Sequence, residues 1–203
     1  NLLGVDGLDK EKMQIIHSED EPLSAEAFLD IAVKLVSAKV NEGCVCIIDS
    51  TSSLMPEKEL DGDMTPGRAG LPKILSVFCK KMGQIVPNQK ATLIIITHFI
   101  ANTSGYGASR MPDCGRKIQY QADTRMEVKS ISPWVQSDTQ VGQAVNWKVV
   151  CSSMGSPGTE CQSWIKYGHG IDKIQEIIML ALDIGLIAKV GAWLTCEFML
   201  EPA

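Results

Sequence analysis

Gly43-Cys44-Val45-Cys46-Ile47-Ile48-Asp49-Ser50-Thr51-Ser52-Ser53-Leu54 is the stretch whose reading decides the fold. Five of the six residues from Cys44 to Asp49 are apolar, without a helical period, and Val45, Ile47 and Ile48 are β-branched. Such a run predicts a central strand of a parallel sheet, buried on both faces. It stops at the carboxylate of Asp49, and four hydroxyl side chains follow, Ser50 to Ser53. In open parallel sheets ligands sit beyond the carboxyl ends of the strands, where Asp49 stands. The competing reading is an Asp that caps a turn.

Upstream, Met13-Gln14-Ile15-Ile16-His17 is a strand candidate, and Ser24 can cap a helix running to about Lys39. Phe28, Ile31, Ala32, Leu35 and Val36 fall on one face of that helix. Strand, helix, buried strand predicts a parallel crossover. Downstream, residues 55–70 are polar and broken by Pro56, Gly62, Pro66, Gly67 and Gly70. A helix opens near Leu71, with Pro72 in its first turn and a core stripe of Leu71, Ile74, Leu75, Phe78, Cys79 and Met82. Ala91-Thr92-Leu93-Ile94-Ile95-Ile96-Thr97-His98 then reads as a second buried strand with a polar tip, completing a second crossover unit.

Residues 101–116 contain three glycines besides Ser, Asn, Arg and Pro and read as a mobile loop. Beyond it the period changes. Thr124, Met126 and Val128 alternate with charged residues, Val145, Trp147 and Val149 alternate with Asn146 and Lys148, and residues 161–167 form a third run. Alternation predicts strands with one wet face, which should extend the sheet by antiparallel pairing. Asp172 with Gln175 starts a helix that Gly185 stops, and residues 187–198 read as a hairpin around Val190-Gly191. The expected organisation is therefore α/β in one core, with parallel βα units over 1–120 and an antiparallel extension, helix and hairpin over 121–203.

Bulk composition excludes several classes. The 203 residues are 45% hydrophobic and 21% charged, with a net charge of −5, so no whole-molecule field attracts nucleic acid. Phosphate contacts must come from local basic clusters. Seven dispersed cysteines form no CxxC or Cys/His pair, which argues against zinc and fits a reducing, cytoplasmic setting. No apolar stretch reaches the ~20 residues of a membrane span, and no signal peptide is visible. The first residue is Asn1, not Met, so the expectation is a fragment.

The order of elements and the local residues resemble the RecA-type strand-exchange recombinases, and within them the phage UvsX branch. Matching points are Gly4-Val5, the Walker B-like run over 44–50, Pro56-Glu57-Lys58-Glu59-Leu60-Asp61-Gly62-Asp63, and Gly70-Leu71. They continue with residues 93–98, Gly115 and Tyr120-Gln121-Ala122-Asp123, and Lys148-Val149-Val150. Tyr167-Gly168-His169-Gly170-Ile171-Asp172 and Gly191-Ala192-Trp193 complete the series, which covers nearly the whole chain.

The resemblance implies the C-terminal two-thirds of a RecA-like P-loop ATPase core: a central, mostly parallel sheet extended by antiparallel strands, with helices on both faces. It implies a filament that uses ATP and Mg²⁺, coats single-stranded DNA and exchanges strands with a duplex. By the same resemblance Asp49 and Ser50 organise the Mg²⁺ and the hydrolytic water, His98 senses the γ-phosphate, and Tyr167 and Gly168 lie near the base. One DNA-facing loop supplies Gly67, Arg68 and Gly70; a second supplies Tyr106, Arg110, Gly115, Arg116 and Lys117. A cationic track with a stacking side chain is what single-strand binding requires.

The chain departs from the family pattern in three places. It contains no G-x-x-x-x-G-K-[ST], the loop that cradles phosphates, so this chain alone is expected neither to bind ATP tightly nor to hydrolyse it. Cys151 and Ser153 stand where the bacterial family places lysines that reach a neighbouring subunit's ATP. Cys114-Gly115 replaces a Gly pair and Arg116 a small polar residue. Two rival readings follow: another RecA-fold ATPase of the helicase kind, and a non-catalytic DNA-binding or filament-assembly paralogue. A fragment whose sheet surface is left open is also expected to dimerise. His17 and His169 read as satisfied histidines, and the four tryptophans as packing residues.

Overall fold

In the computed structural model the described residues are 9–17, 22–60, 62, 70–103, 106–113, 115–191 and 193–196, without the side chains of Lys10 and Arg116. They fall in two compact units, one of residues 16–122 and one of 123–203 together with 1–15.

The first unit starts with α1 (Ala25–Ser37), whose cap is the expected one: Ser24 Oγ accepts from Ala27 N at 3.2 Å. Its buried face is Ala25, Leu29, Ala32 and Val36. That face is turned slightly from the expected one, since Leu29 goes in while Phe28 packs at the margin. Next come β1 (Val45–Ile48), the short α2 (Glu57–Leu60), α3 (Gly70–Asn88) and β2 (Thr92–Ile95). Leu75, Phe78, Cys79 and Met82 of α3 are buried as its spacing predicts. β1 and β2 pair in parallel, Val45 opposite Thr92 and Ile48 opposite Ile95, and the long α3 makes the connection between them. The unit ends with the hairpin β3 (Phe99–Ala101) and β4 (Arg110–Pro112) and with α4 (Arg116–Gln121), which puts Ile118 into the core.

Three expectations change here. β1 is not buried on both faces: Cys46 and Ile48 pack against α1 and α3, while Val45 and Ile47 are each 60% exposed. Ile94 and Ile96 are exposed beside them, so among the described residues helices cover one face of this sheet and not two. An apolar run shows that a strand can be buried, but covering elements decide whether both faces are. Residues 13–17 form no strand; Met13 and Ile15 lie exposed and no ladder partner is present among the described residues, so the first crossover unit is not formed. Finally, part of the expected loop at 101–116 is regular: Ala101 ends β3, residues 110–112 form β4 and Arg116 begins α4.

In the second unit β5 (Thr124–Gln136), β6 (Thr139–Ser152), β7 (Glu160–Lys166) and β8 (Gly170–Ile171) form an antiparallel sheet in sequential order. β5 and β6 meet at a two-residue turn, Ser137 and Asp138, both left-handed, as a tight hairpin demands. Ala144, Val145 and Trp164 are its buried apolar residues. α5 (Lys173–Asp183) has the expected cap, Asp172 Oδ1 accepting from Gln175 N at 3.0 Å. The last two strands, β9 (Ala188–Val190) and β10 (Trp193–Thr195), make the expected hairpin.

Candidate functional site

Parallel pairing places the ends of β1 and β2 side by side. The ladder runs on past the strands: Ile96 N donates to Ile48 O at 2.9 Å, and Thr51 N donates back to Ile96 O at 3.0 Å. The Thr51 hydroxyl reaches the same carbonyl at 3.4 Å, and Thr51 is fully buried. One residue further, His98 N donates to Ser52 Oγ at 3.2 Å. Asp49 and His98 therefore sit at the carboxyl ends of neighbouring strands, both exposed, tied together through the Thr51–Ser52 turn. Ser50 is 7% exposed, and its carbonyl accepts from Ser53 Oγ at 2.8 Å. The Asp49–Ser50 peptide is cis. Residue order alone gives Thr51 and Ser52 no separate role, yet they tie the two strand ends together. Their signal was the run of hydroxyls, which needs the facing strand before any partner can be named.

The carbonyl of His98 is occupied too, accepting from Asp113 N at 3.0 Å. That bond closes the base of the β3–β4 hairpin, where Phe99 faces Pro112 and Ala101 faces Arg110. At its tip Tyr106 is 88% exposed, and Arg110 is exposed on β4. Lys117 is exposed on α4. Gly115 precedes α4 with a φ of 78°, and a Cβ there would meet Pro72 of α3 at 3.2 Å, so this glycine serves packing and chain reversal. Gly70 is the first residue of α3, close against Pro56. Gly67 and Arg68 lie outside the described residues, as does the side chain of Arg116.

The second unit holds Tyr167 and Gly168 in the turn between β7 and β8. Tyr167 N donates to Val141 O at 3.0 Å, and its hydroxyl accepts from Gln140 Nε2 at 2.8 Å. Gly168 has a φ of 76° and is exposed. Cys151 is exposed near the end of β6, and Ser153 N donates to Asp123 O at 2.8 Å.

No group of three or more His, Cys, Asp or Glu is poised for a metal among the described residues. The donors at the strand ends are one exposed carboxylate and neighbouring hydroxyls, a set unlike zinc or calcium cages. It fits Mg²⁺, which keeps several waters and takes one or two carboxylates together with a ligand's phosphates.

An α/β protein with an acid and an imidazole at the carboxyl ends of paired parallel strands, and a hairpin springing from the second, is the class that fold and site define. The chain belongs to the RecA family: residues 4–172 match the RecA N-terminal domain. It is similar to the RecA proteins of Helicobacter hepaticus, with 30% identity over 93% of the chain, and of Gluconacetobacter polyoxogenes, with 28% over 94%. The RecA of Streptococcus parasanguinis is 30% identical over 85% of it. The chain spans about half the length of these relatives, 54%, 54% and 46% respectively. No described helix is long and apolar enough to cross a membrane.

Proposed function

We propose that the chain is part of a RecA-like P-loop ATPase core, akin to phage UvsX, from a recombination and repair protein that binds single-stranded DNA and exchanges strands as a filament. The observation that carries it is the bond set joining the end of β1 to His98 and His98 to the hairpin. Asp49, with Ser50 beside it, is the residue to hold Mg²⁺ through its waters. The ion, when bound with ATP, supplies neutralising charge on phosphate oxygens. In this reading His98 donates to a phosphate oxygen, and because its backbone carbonyl closes the hairpin, a shift of that residue reaches the hairpin directly. Tyr167 and Gly168 keep the assignment to the nucleotide base.

The DNA-facing side chains are Tyr106, Arg110 and Lys117, with Gly115 and Gly70 shaping the backbone and Gly67, Arg68 and Arg116 carried from the sequence. Duplex DNA is the second partner of strand exchange. The chain contains no G-x-x-x-x-G-K-[ST], so ATP turnover by these 203 residues alone is expected at background. The test is titration of a fluorescent oligo-dT at several salt concentrations. Binding should weaken as salt rises, and Arg110→Ala should reduce the logarithmic slope by about 0.7, the release expected per single-strand phosphate. An oligonucleotide bound equally well at low and high salt, or not at all, sinks the reading. The neutral, exposed Cys151 favours a second reading, a non-catalytic assembly module. A whole protein that binds DNA yet hydrolyses no ATP would select it.

A further inference from the structure

The β3–β4 hairpin should not hold itself together. Its strands have three residues each, and Phe99, Ile100 and Met111 remain exposed, so little apolar area is buried in closing it. Isolated two-stranded hairpins are marginal in water even when longer. One side chain supplies what burial does not. Asn102 donates its backbone N–H to Ser109 O at 2.9 Å, and its Nδ2 donates to Tyr106 O at 2.7 Å and to Ala108 O at 2.9 Å. Both side-chain partners are carbonyls, which only accept, so chemistry requires the amide nitrogen and not the oxygen to face them. Gly107, at a φ of 86°, lies between those two carbonyls in a conformation that a side chain would resist. The carbonyl of residue 106 is thus turned onto Asn102 while the ring of the same residue stays in solvent.

We infer that Asn102 is a positioning residue: it pre-forms the tip of the hairpin and holds the Tyr106 ring outward for stacking on an unpaired base. The role rests on the single-strand reading above and deepens it. A ring whose own backbone carbonyl is tied down loses less freedom on stacking than one on an untied chain, so the clamp should raise affinity without touching DNA.

The variant that tests this is Asn102→Leu, which keeps the shape, adds no charge and removes both side-chain donors. Oligo-dT affinity should fall about fivefold to tenfold, the scale of one stacked base, and Tyr106→Ala should cost a similar factor. The double variant should bind no worse than the poorer single one, because the clamp acts through the ring. The salt slope should stay unchanged, since no phosphate contact is lost. Amide exchange serves as the structural control. The residue 102 N–H should lose protection in Asn102→Leu while the Ile96 N–H, bonded to Ile48 O, keeps it. If the unmodified chain binds no oligo-dT, the single-strand reading falls and takes this role with it. If it binds and Asn102→Leu binds equally well, or the two losses multiply in the double variant, the positioning role alone is wrong.

Discussion

The two units solve the same problem of covering a sheet in opposite ways. In residues 16–122 the sheet is small and parallel, and its order comes from helices: α1, α3 and α4 meet on the Cys46 and Ile48 side of β1. In residues 123–203 the sheet supplies its own order through long antiparallel ladders, with a cross-strand ion pair, Lys129 Nζ to Glu160 Oε1 at 2.6 Å. A helix-packed unit leaves its strand ends open to solvent, and that is where Asp49 and His98 stand. A ladder-built unit keeps its identity in backbone register, so it tolerates exposed Met126, Val128 and Ile131.

The sharpest way to break this contrast is to damage each unit by its own logic. Leu75→Ala, at a site 1% exposed, should cost about 3 kcal/mol in the first unit, since it opens a cavity between packed helices. In the second the damaging change is an addition: a Cβ at Gly142 would lie 2.2 Å from the Ile165 carbonyl oxygen and 3.0 Å from the Trp134 ring. Gly142→Ala should therefore cost about 2 kcal/mol by overpacking. Urea denaturation measures both, followed by far-UV circular dichroism for the first unit, which carries no tryptophan, and by tryptophan fluorescence for the second, which carries all four; a neutral Gly142→Ala would mean that the ladder does not govern its unit.

Thiol chemistry sharpens the same comparison. Burial, with Cys44 nearby, holds the Cys46 thiol above the usual cysteine range, and Cys79 is buried. Cys151 and Cys161 are exposed on the second unit's strands. Alkylation by iodoacetamide in the native state should modify that exposed pair on the order of tenfold faster than Cys46, with peptide mass mapping as the readout. Equal rates would contradict the helix-covered face of β1.

The smallest effect is electrostatic. The bond from Lys129 holds the Glu160 carboxyl below the usual glutamate range. A depressed carboxylate stabilises the folded state above its unfolded pKa, and that contribution disappears as pH falls through the folded value. Glu160→Gln should thus lower the melting temperature slightly at pH 7 and not at all in strong acid. Both charges are exposed, so salt should shrink the difference. A gap that persists in acid would show that the side chain acts by packing.

Much of this molecule could be read from residue order alone. The stripe on α3 and the caps at Ser24 and Asp172 were legible because helical spacing and capping chemistry are local. The alternation near Thr124 and Val145 marked strands for the same reason, although the Ser137-Asp138 turn carried no glycine to announce it. Three matters waited for the tertiary structure. Whether the second face of β1 is covered depends on elements remote in sequence. Whether Tyr106 and Ala108 are tied back to the start of their hairpin depends on one amide reaching four and six residues ahead. Whether Asp49 and His98 end neighbouring strands depends on parallel register across forty-seven positions of chain, since Ile48 must face Ile95. Local periods belong to the backbone's own geometry and are written into every window of sequence. Coverage, closure and juxtaposition are properties of pairs, and a pair exists only once the chain has brought its members together.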